Sequence, residues 1–257
     1  IEQWKGALDV LLNKHRVMSR LYAGKYRADE ADALIAALDD IVVVVRAALA
    51  DPRRTAFVPV MNADALSLYE TRRLLAALGD VGVSAPCVVV NRLGRQAGKC
   101  APCAKRRRDE TAWVERARRE FRLPLIEVPC FDMDLAGAEK LQLLGRFVLG
   151  WGPEPAEDRT PGTDRGARSA PVEAPRDAVV APSPAVGDAS LYLVCGKGGV
   201  GKTTVACALA LWLRSQNRGP TLLFSTDPAH SLSDALDMEI GAHPTRVVDG
   251  IDAVQID

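Results

Sequence analysis

The 257 residues suffice for one large α/β domain or two smaller units, and 48% apolar residues allow real cores. Lysine plus arginine balances aspartate plus glutamate at 33 each, which removes the main electrostatic argument for a nucleic-acid partner. No stretch reaches the ~18 uninterrupted apolar residues of a membrane span, so a cytoplasmic protein is expected.

In chain order, the first residues read as an amphipathic, charged helix rather than a signal peptide. Trp4, Leu8, Leu11, His15, Met18 and Tyr22 keep helical spacing. The apolar run Ile41 to Val45, between Asp39-Asp40 and Arg46, reads as a buried helix segment. Strands and helices then alternate: strand 56–61, helix 65–78, strand 87–91, helix 106–121, strand 125–128 and helix 136–149. From Trp151 to Ser190 the composition changes, with prolines at 153, 155, 161, 171, 175, 182 and 184. No apolar period survives there, and the segment reads as a flexible linker. Beyond it come strand 191–195, helix 201–215, strand 221–225, helix 231–237 and a last strand at 253–256. Such alternation implies an α/β fold with a parallel sheet and helices on both faces. Neither end carries a natural stop signal, so the chain is expected to be a piece of a longer protein.

Six cysteines stand at 87, 100, 103, 130, 195 and 207. The chain is too long, and the spacing too irregular, for a small secreted disulfide scaffold. Most lie in apolar runs and read as reduced core residues; Cys100 and Cys103 are the exception.

The segment Gly196-Lys197-Gly198-Gly199-Val200-Gly201-Lys202-Thr203 fits G-x-x-x-x-G-K-[ST] between an apolar strand and a helix. Glycines let backbone N–H groups curl around phosphate oxygens, and the helix presents its N-terminal dipole to the anion. The motif assigns Lys202 to the β- and γ-phosphates of ATP, Thr203 to Mg²⁺ and Thr204 to a further phosphate oxygen. Lys197 is unnecessary for the fold and sits beside a loop that must admit a polyanion; its bland reading is a solvated surface lysine.

The pattern GKGGVGKTT resembles the phosphate loop of deviant Walker A ATPases, in which Lys197 would be the signature lysine that crosses a dimer or pseudo-dimer interface. The run Ser225-Thr226-Asp227-Pro228-Ala229-His230-Ser231-Leu232-Ser233-Asp234-Ala235-Leu236 narrows this. It closely resembles the switch I segment of the family that unites arsenical pump-driving ATPases with tail-anchored-protein targeting ATPases. Partitioning ATPases carry a different segment there. The resemblance gives Asp227 the role of polarising the attacking water, against the plainer reading of a helix cap. His230 and Asp234 would shape the switch.

The front half resembles the C-terminal third of such a domain, from TAFVPVMNADALSLYETRRLLAALGDVGV through VVVNRL to CAPCAKRRRDE. Ala63-Asp64 stands where the family more often has Pro-Glu. Asn91 matches a position that reads the adenine edge, although an asparagine there also suits a loop cap. Val128 to Phe131 matches the loop beside the base. Cys100-Ala-Pro-Cys103 resembles the motif by which targeting ATPases share one zinc across a dimer; two thiolates require a partner copy. A redox pair, or two loop cysteines without ligand, remain alternatives. The basic run at 105–108 reads as a solvated helix face.

The resemblance implies three parts. Residues 1–150 would be the C-terminal portion of an upstream ATPase domain, 151–190 a linker, and 191–257 the N-terminal portion of a second domain. An ATPase energising arsenite or antimonite efflux through an integral membrane partner follows. The alternative is a tail-anchored-protein targeting ATPase with a membrane receptor, and a partitioning-type ATPase comes third. The stretch alone lacks switch II and is not expected to turn over ATP.

Overall fold

A computed structural model describes residues 2–94, 100–131, 133–148, 189–216, 218–227 and 231–256. The expected linker, but for its last two residues, and His230 lie outside the described residues. The first elements are two helices, α1 (Glu2–Ala23) and α2 (Glu30–Ala50). Asp29 starts α2 with a capping box: its side chain accepts from Ala31 N–H and Asp32 N–H, while Asp32 accepts from Asp29 N–H. His15 Nε2 of α1 lies 3.1 Å from Asp29 and 3.4 Å from Asp32, beside the start of α2.

The run Ile41 to Val45 is not buried. Ile41 is 56% exposed and Val44 63% exposed, and no residue of α2 is buried. Trp4, Leu11 and Tyr22 of α1 are likewise exposed, and Leu8 alone of that expected apolar set is buried. The period makes the helices; it does not supply a surface to cover them.

The expected alternation follows as β1 (Thr55–Asn62), α3 (Ala65–Asp80), β2 (Val88–Leu93), α4 (Ala101–Phe121), β3 (Leu125–Pro129) and α5 (Ala138–Val148). After the linker come β4 (Leu191–Cys195), α6 (Lys202–Ser215), β5 (Thr221–Ser225), α7 (Ser231–Leu236), β6 (Thr245–Val248) and β7 (Ile251–Gln255). Four strands form a wholly parallel sheet in the order β3-β2-β1-β4.

Successive residues of a strand face opposite sides, and here both sides are covered, as in parallel sheets generally. Val60, Val89, Ile126 and Val128 pack with Leu144 of α5 and Val205, Ala208 and Leu209 of α6. Their neighbours Met61, Val88, Val90 and Leu125 pack with Leu68 of α3 and Val114 and Ala117 of α4. Gly145 lets α5 lie directly on α6, because a Cβ there would stand 3.0 Å from Ala208 O.

β4 joins the sheet built from the strands before residue 130. β4 runs parallel to β1, with Leu191 opposite Thr55 and Cys195 opposite Pro59, and Leu191 N–H donates to Arg54 O. A second sheet, β5-β7-β6, packs beneath α6 and α7 around Leu211, Leu223, Leu232 and Ile251. Its β6 is antiparallel to β7 and absent from the sequence reading. The signal was present, since Asp249-Gly250 between two apolar runs is a two-residue hairpin turn. Gly250 has φ +78, and Arg214 of α6 donates to Asp249 O at 2.9 Å.

α4 begins at Ala101, five residues earlier than the apolar pattern suggests. Cys100 caps it through Sγ, which accepts from Cys103 N–H, and Pro102 occupies the first turn.

Candidate functional site

The loop after β4 turns sharply against β1. Gly196 adopts φ +143, and a Cβ there would lie 2.2 Å from Val60 O. Gly201, at φ +95, precedes α6 and would place a Cβ 2.4 Å from Asn91 Nδ2. It offers no side-chain cap, so the first N–H groups of α6 receive none from it and remain suited to an anion. Val200 is buried among the sheet and α6 residues and plugs the loop into the core. Lys202 Nζ donates to Lys197 O at 3.2 Å, folding the lysine across the loop. Lys197 itself is exposed.

Ser231, at the start of α7, meets the first turn of α6 from the other side. Thr203 Oγ1 lies 3.0 Å from Ser231 Oγ, and Asp227 N–H donates to Ser225 Oγ at 3.2 Å. Gly137 N–H donates to Ala235 O, joining the start of α5 to α7. Between these parts lies a cavity of about 460 Å³, within the usual range for small-molecule sites. Gly199, Gly201, Lys202, Thr203, Thr204, Asp227 and Asp234 line it from one side. Asn91, Arg92, Pro129, Cys130, Phe131 and the segment Met133 to Ala136 line it from the other. Residues from both sides of the stretch 151–188 therefore share one cavity.

The match to the family model for anion-transporting ATPases spans residues 2–150 and 189–257, both walls of the cavity included. The chain belongs to this family. Among relatives, the ATPase ARSA1 of Chlamydomonas reinhardtii is 30% identical over 90% of this chain and 27% of its own length. A putative arsenical pump-driving ATPase of Halobacterium salinarum is 32% identical over 81% of this chain and 33% of its own. The ATPase GET3 of Mycosarcoma maydis is 53% identical over 25% of this chain and 20% of its own. The chain thus spans about a third or less of these relatives.

Within this anion-transporting ATPase fold, several residues matter that the sequence reading passed over. Arg92, next to Asn91, donates to Gly199 O at 2.9 Å. Ser231 was read only as part of the switch I run, and its hydroxyl meets Thr203. Met133 to Ala136 line the cavity beyond Phe131. Asn91 uses its amide on the protein: Nδ2 donates to Val200 O and Oδ1 accepts from Arg92 N–H, both at 2.9 Å.

Cys100 and Cys103 lie apart from the cavity, exposed at the start of α4 with Sγ atoms 2.8 Å apart. Their mutual hydrogen bond is the largest influence on each, holding Cys100 below the ordinary thiol range and Cys103 above it. Backbone donation from Cys103 N–H also favours the Cys100 thiolate. Burial pushes Cys87 and Cys207 up to about 12 and Cys195 up to about 11. The thiolate is the nucleophile, and its fraction grows as pH rises through the pKa. Alkylation of the native protein by iodoacetamide, followed by peptide mapping against pH, will show Cys100 modified first. Its midpoint will lie below that of a free thiol, with Cys87 and Cys207 unmodified. Equal labelling of Cys87 and Cys100 would contradict this ordering. Among the described residues, the only group of three or more His, Cys, Asp or Glu side chains placed to share an ion is His15, Asp29 and Asp32, remote in sequence from this pair.

Proposed function

We propose that the chain is part of an ATP-hydrolysing subunit that energises arsenite or antimonite export through an integral membrane partner. The cavity of about 460 Å³ carries the reading, because phosphate-loop, switch and base-side residues all open onto it. Lys202 and the α6 N-terminus bind the β- and γ-phosphates, with Thr204 on a further oxygen. Phe131, Pro129 and Leu135 supply apolar surface for the base. Asn91 is placed at the base side and braces the loop. Lys197, exposed on the loop, is free to reach a paired domain, in a dimer or a tandem pseudo-dimer. Asp227 orients and polarises the attacking water.

The donor set suits a hard cation: Thr203, Ser231, Asp227 and Asp234, which carry hydroxyl and carboxylate oxygens, all line the cavity. Thr203 would hold Mg²⁺, which neutralises charge on the β- and γ-phosphate oxygens.

Residues 1–150 form the C-terminal portion of one domain and 191–257 the N-terminal portion of a second, on either side of the linker at 151–190. Matched stretches flanking an unmatched 151–188, and the small share of each relative covered, support this division. Parallel pairing of β4 with β1 is what complementary portions of one domain plan produce. No helix among the described residues is long and apolar enough to cross a membrane, and the proposal assigns conduction to the partner. The site is cytoplasmic in this reading.

Two observations favour a second reading, an ATPase that targets tail-anchored membrane proteins. The α1–α2 hairpin exposes Leu34, Ile41, Val44, Trp4 and Leu21, an apolar surface of the kind that marks interaction sites. Cys100 and Cys103 would then share Zn²⁺ with a partner copy.

Asp227→Asn tests the catalytic assignment. It keeps the shape and most hydrogen bonding and removes the charge that polarises water. Hydrolysis in the intact protein will fall by about 10²-fold or more with ATP affinity nearly unchanged. Unchanged turnover would leave Asp227 a structural residue.

A further inference from the structure

The end of β2 departs from regular strand geometry at the cavity wall. Its pairing with β3 shifts register between Val90 and Leu93, and Arg92 sits at φ +59. A non-glycine residue occupies that left-handed region only at an energetic cost, and such residues gather at functional sites. In a regular strand Asn91 and Arg92 would point to opposite faces. The bulge instead aims both at the phosphate loop, as bulges beside active sites do.

Their targets are consecutive carbonyls. Asn91 Nδ2 donates to Val200 O and Arg92 Nη1 donates to Gly199 O. Asn91 Oδ1 accepts from Arg92 N–H, locking the asparagine amide in the orientation that reaches Val200. The bulge is anchored from behind: Gly94 N–H donates to Glu110 Oε2, Arg106 grips Glu110 Oε1, and Cys130 N–H donates to Leu93 O. A carbonyl turned outward and bonded leaves the neighbouring peptide N–H groups of a glycine loop free to turn inward, which anion cradles require.

Resting on the phosphate-loop reading above, we propose that Arg92 is a positioning residue. Through the left-handed bulge of β2 it holds Gly199 O and presets the phosphate loop for the diphosphate of the nucleotide. The clamp joins the portion before the linker to the loop after it, so the base-side wall and the phosphate cradle form one rigid unit.

Calorimetric binding of ADP, ATP and adenosine to the intact protein tests this, with thermal melting of each variant. Arg92→Gly removes the clamp and relieves the left-handed strain together. ADP and ATP affinity will fall by the same factor, about tenfold for one charged hydrogen bond. Adenosine affinity will be unchanged, and the melting temperature equal to or above wild type. Arg92→Lys, which keeps a donor, will return ADP affinity to within about threefold. ADP affinity within twofold of wild type in Arg92→Gly would overturn the proposal. So would a loss much larger for ATP than for ADP, which would make Arg92 a direct γ-phosphate contact. A loss shared by adenosine with a lowered melting temperature would make it a plain structural role and overturn the proposal as well. Lys202→Ala serves as the control: if it too leaves ADP binding intact, the phosphate-loop reading fails and the clamp falls with it.

Discussion

Lys202→Ala will abolish measurable ATP binding at this site. Lys202 follows Gly201 at the first turn of α6, and its Nζ is held across the loop by Lys197 O. An incoming phosphate replaces that single carbonyl with anionic oxygens, and such charge-assisted hydrogen bonds are roughly twice as strong as neutral ones. Removing the ammonium leaves the anion facing backbone dipoles alone. The expected loss is about 10²-fold or more in affinity, from one buried charged contact and the desolvated oxygens it leaves unpaired. The fold should persist, because Lys202 is only half-buried and, among the described residues, its side chain bonds only a loop carbonyl. Calorimetric titration with ATP and Mg²⁺ beside a melting curve separates the two. Affinity within threefold of wild type would remove Lys202 from the site.

Gly196→Ala will act on the fold first and on binding as a consequence. The backbone stands at φ +143, which L side chains rarely adopt, and the added methyl would meet Val60 O at 2.2 Å. That oxygen belongs to β1, the central partner of both β2 and β4, so it cannot retreat without breaking the parallel ladder. Strain and overpacking each cost about 1–3 kcal/mol, giving a combined loss of about 2–6 kcal/mol. For a domain of this size the melting temperature should fall by about 5–25 °C. Gly198→Ala is the matched control. Among the described residues nothing lies within 4 Å of the Cβ it would add, and its stability should stay within about 0.5 kcal/mol of wild type. Equal melting of the two variants would mean that the loop does not pass against β1 as described.

The strands and helices of the α/β fold were legible because their signals are local. A buried parallel strand needs a short apolar run, and VVVN and LYLVC supply one each. The glycine loop between β4 and α6 was legible for the same reason, since glycine spacing encodes a backbone shape without reference to anything distant. Even the β6–β7 hairpin, which the reading missed, is written locally in Asp249-Gly250.

Other features depend on which surfaces meet, and no period in the chain records that. Ile41 to Val45 has the composition of a core segment, yet it stays exposed because burial requires a facing surface. Asn91 was legible as a residue at the end of a strand. Its bond to Val200, 109 positions away, exists because β4 settles against β1 and carries the loop to the bulge. Arg92 gave no signal of its own, because a left-handed bulge in β2 is a property of its pairing with β3. From the residues alone, then, came the chemistry proposed for the site: a polyanion cradle, a hydroxyl for a cation and a carboxylate beside them. The tertiary structure decided which wall faces that cradle. Strand pairing and helix packing act between segments far apart in sequence, and only their combined geometry selects the residues that share a cavity.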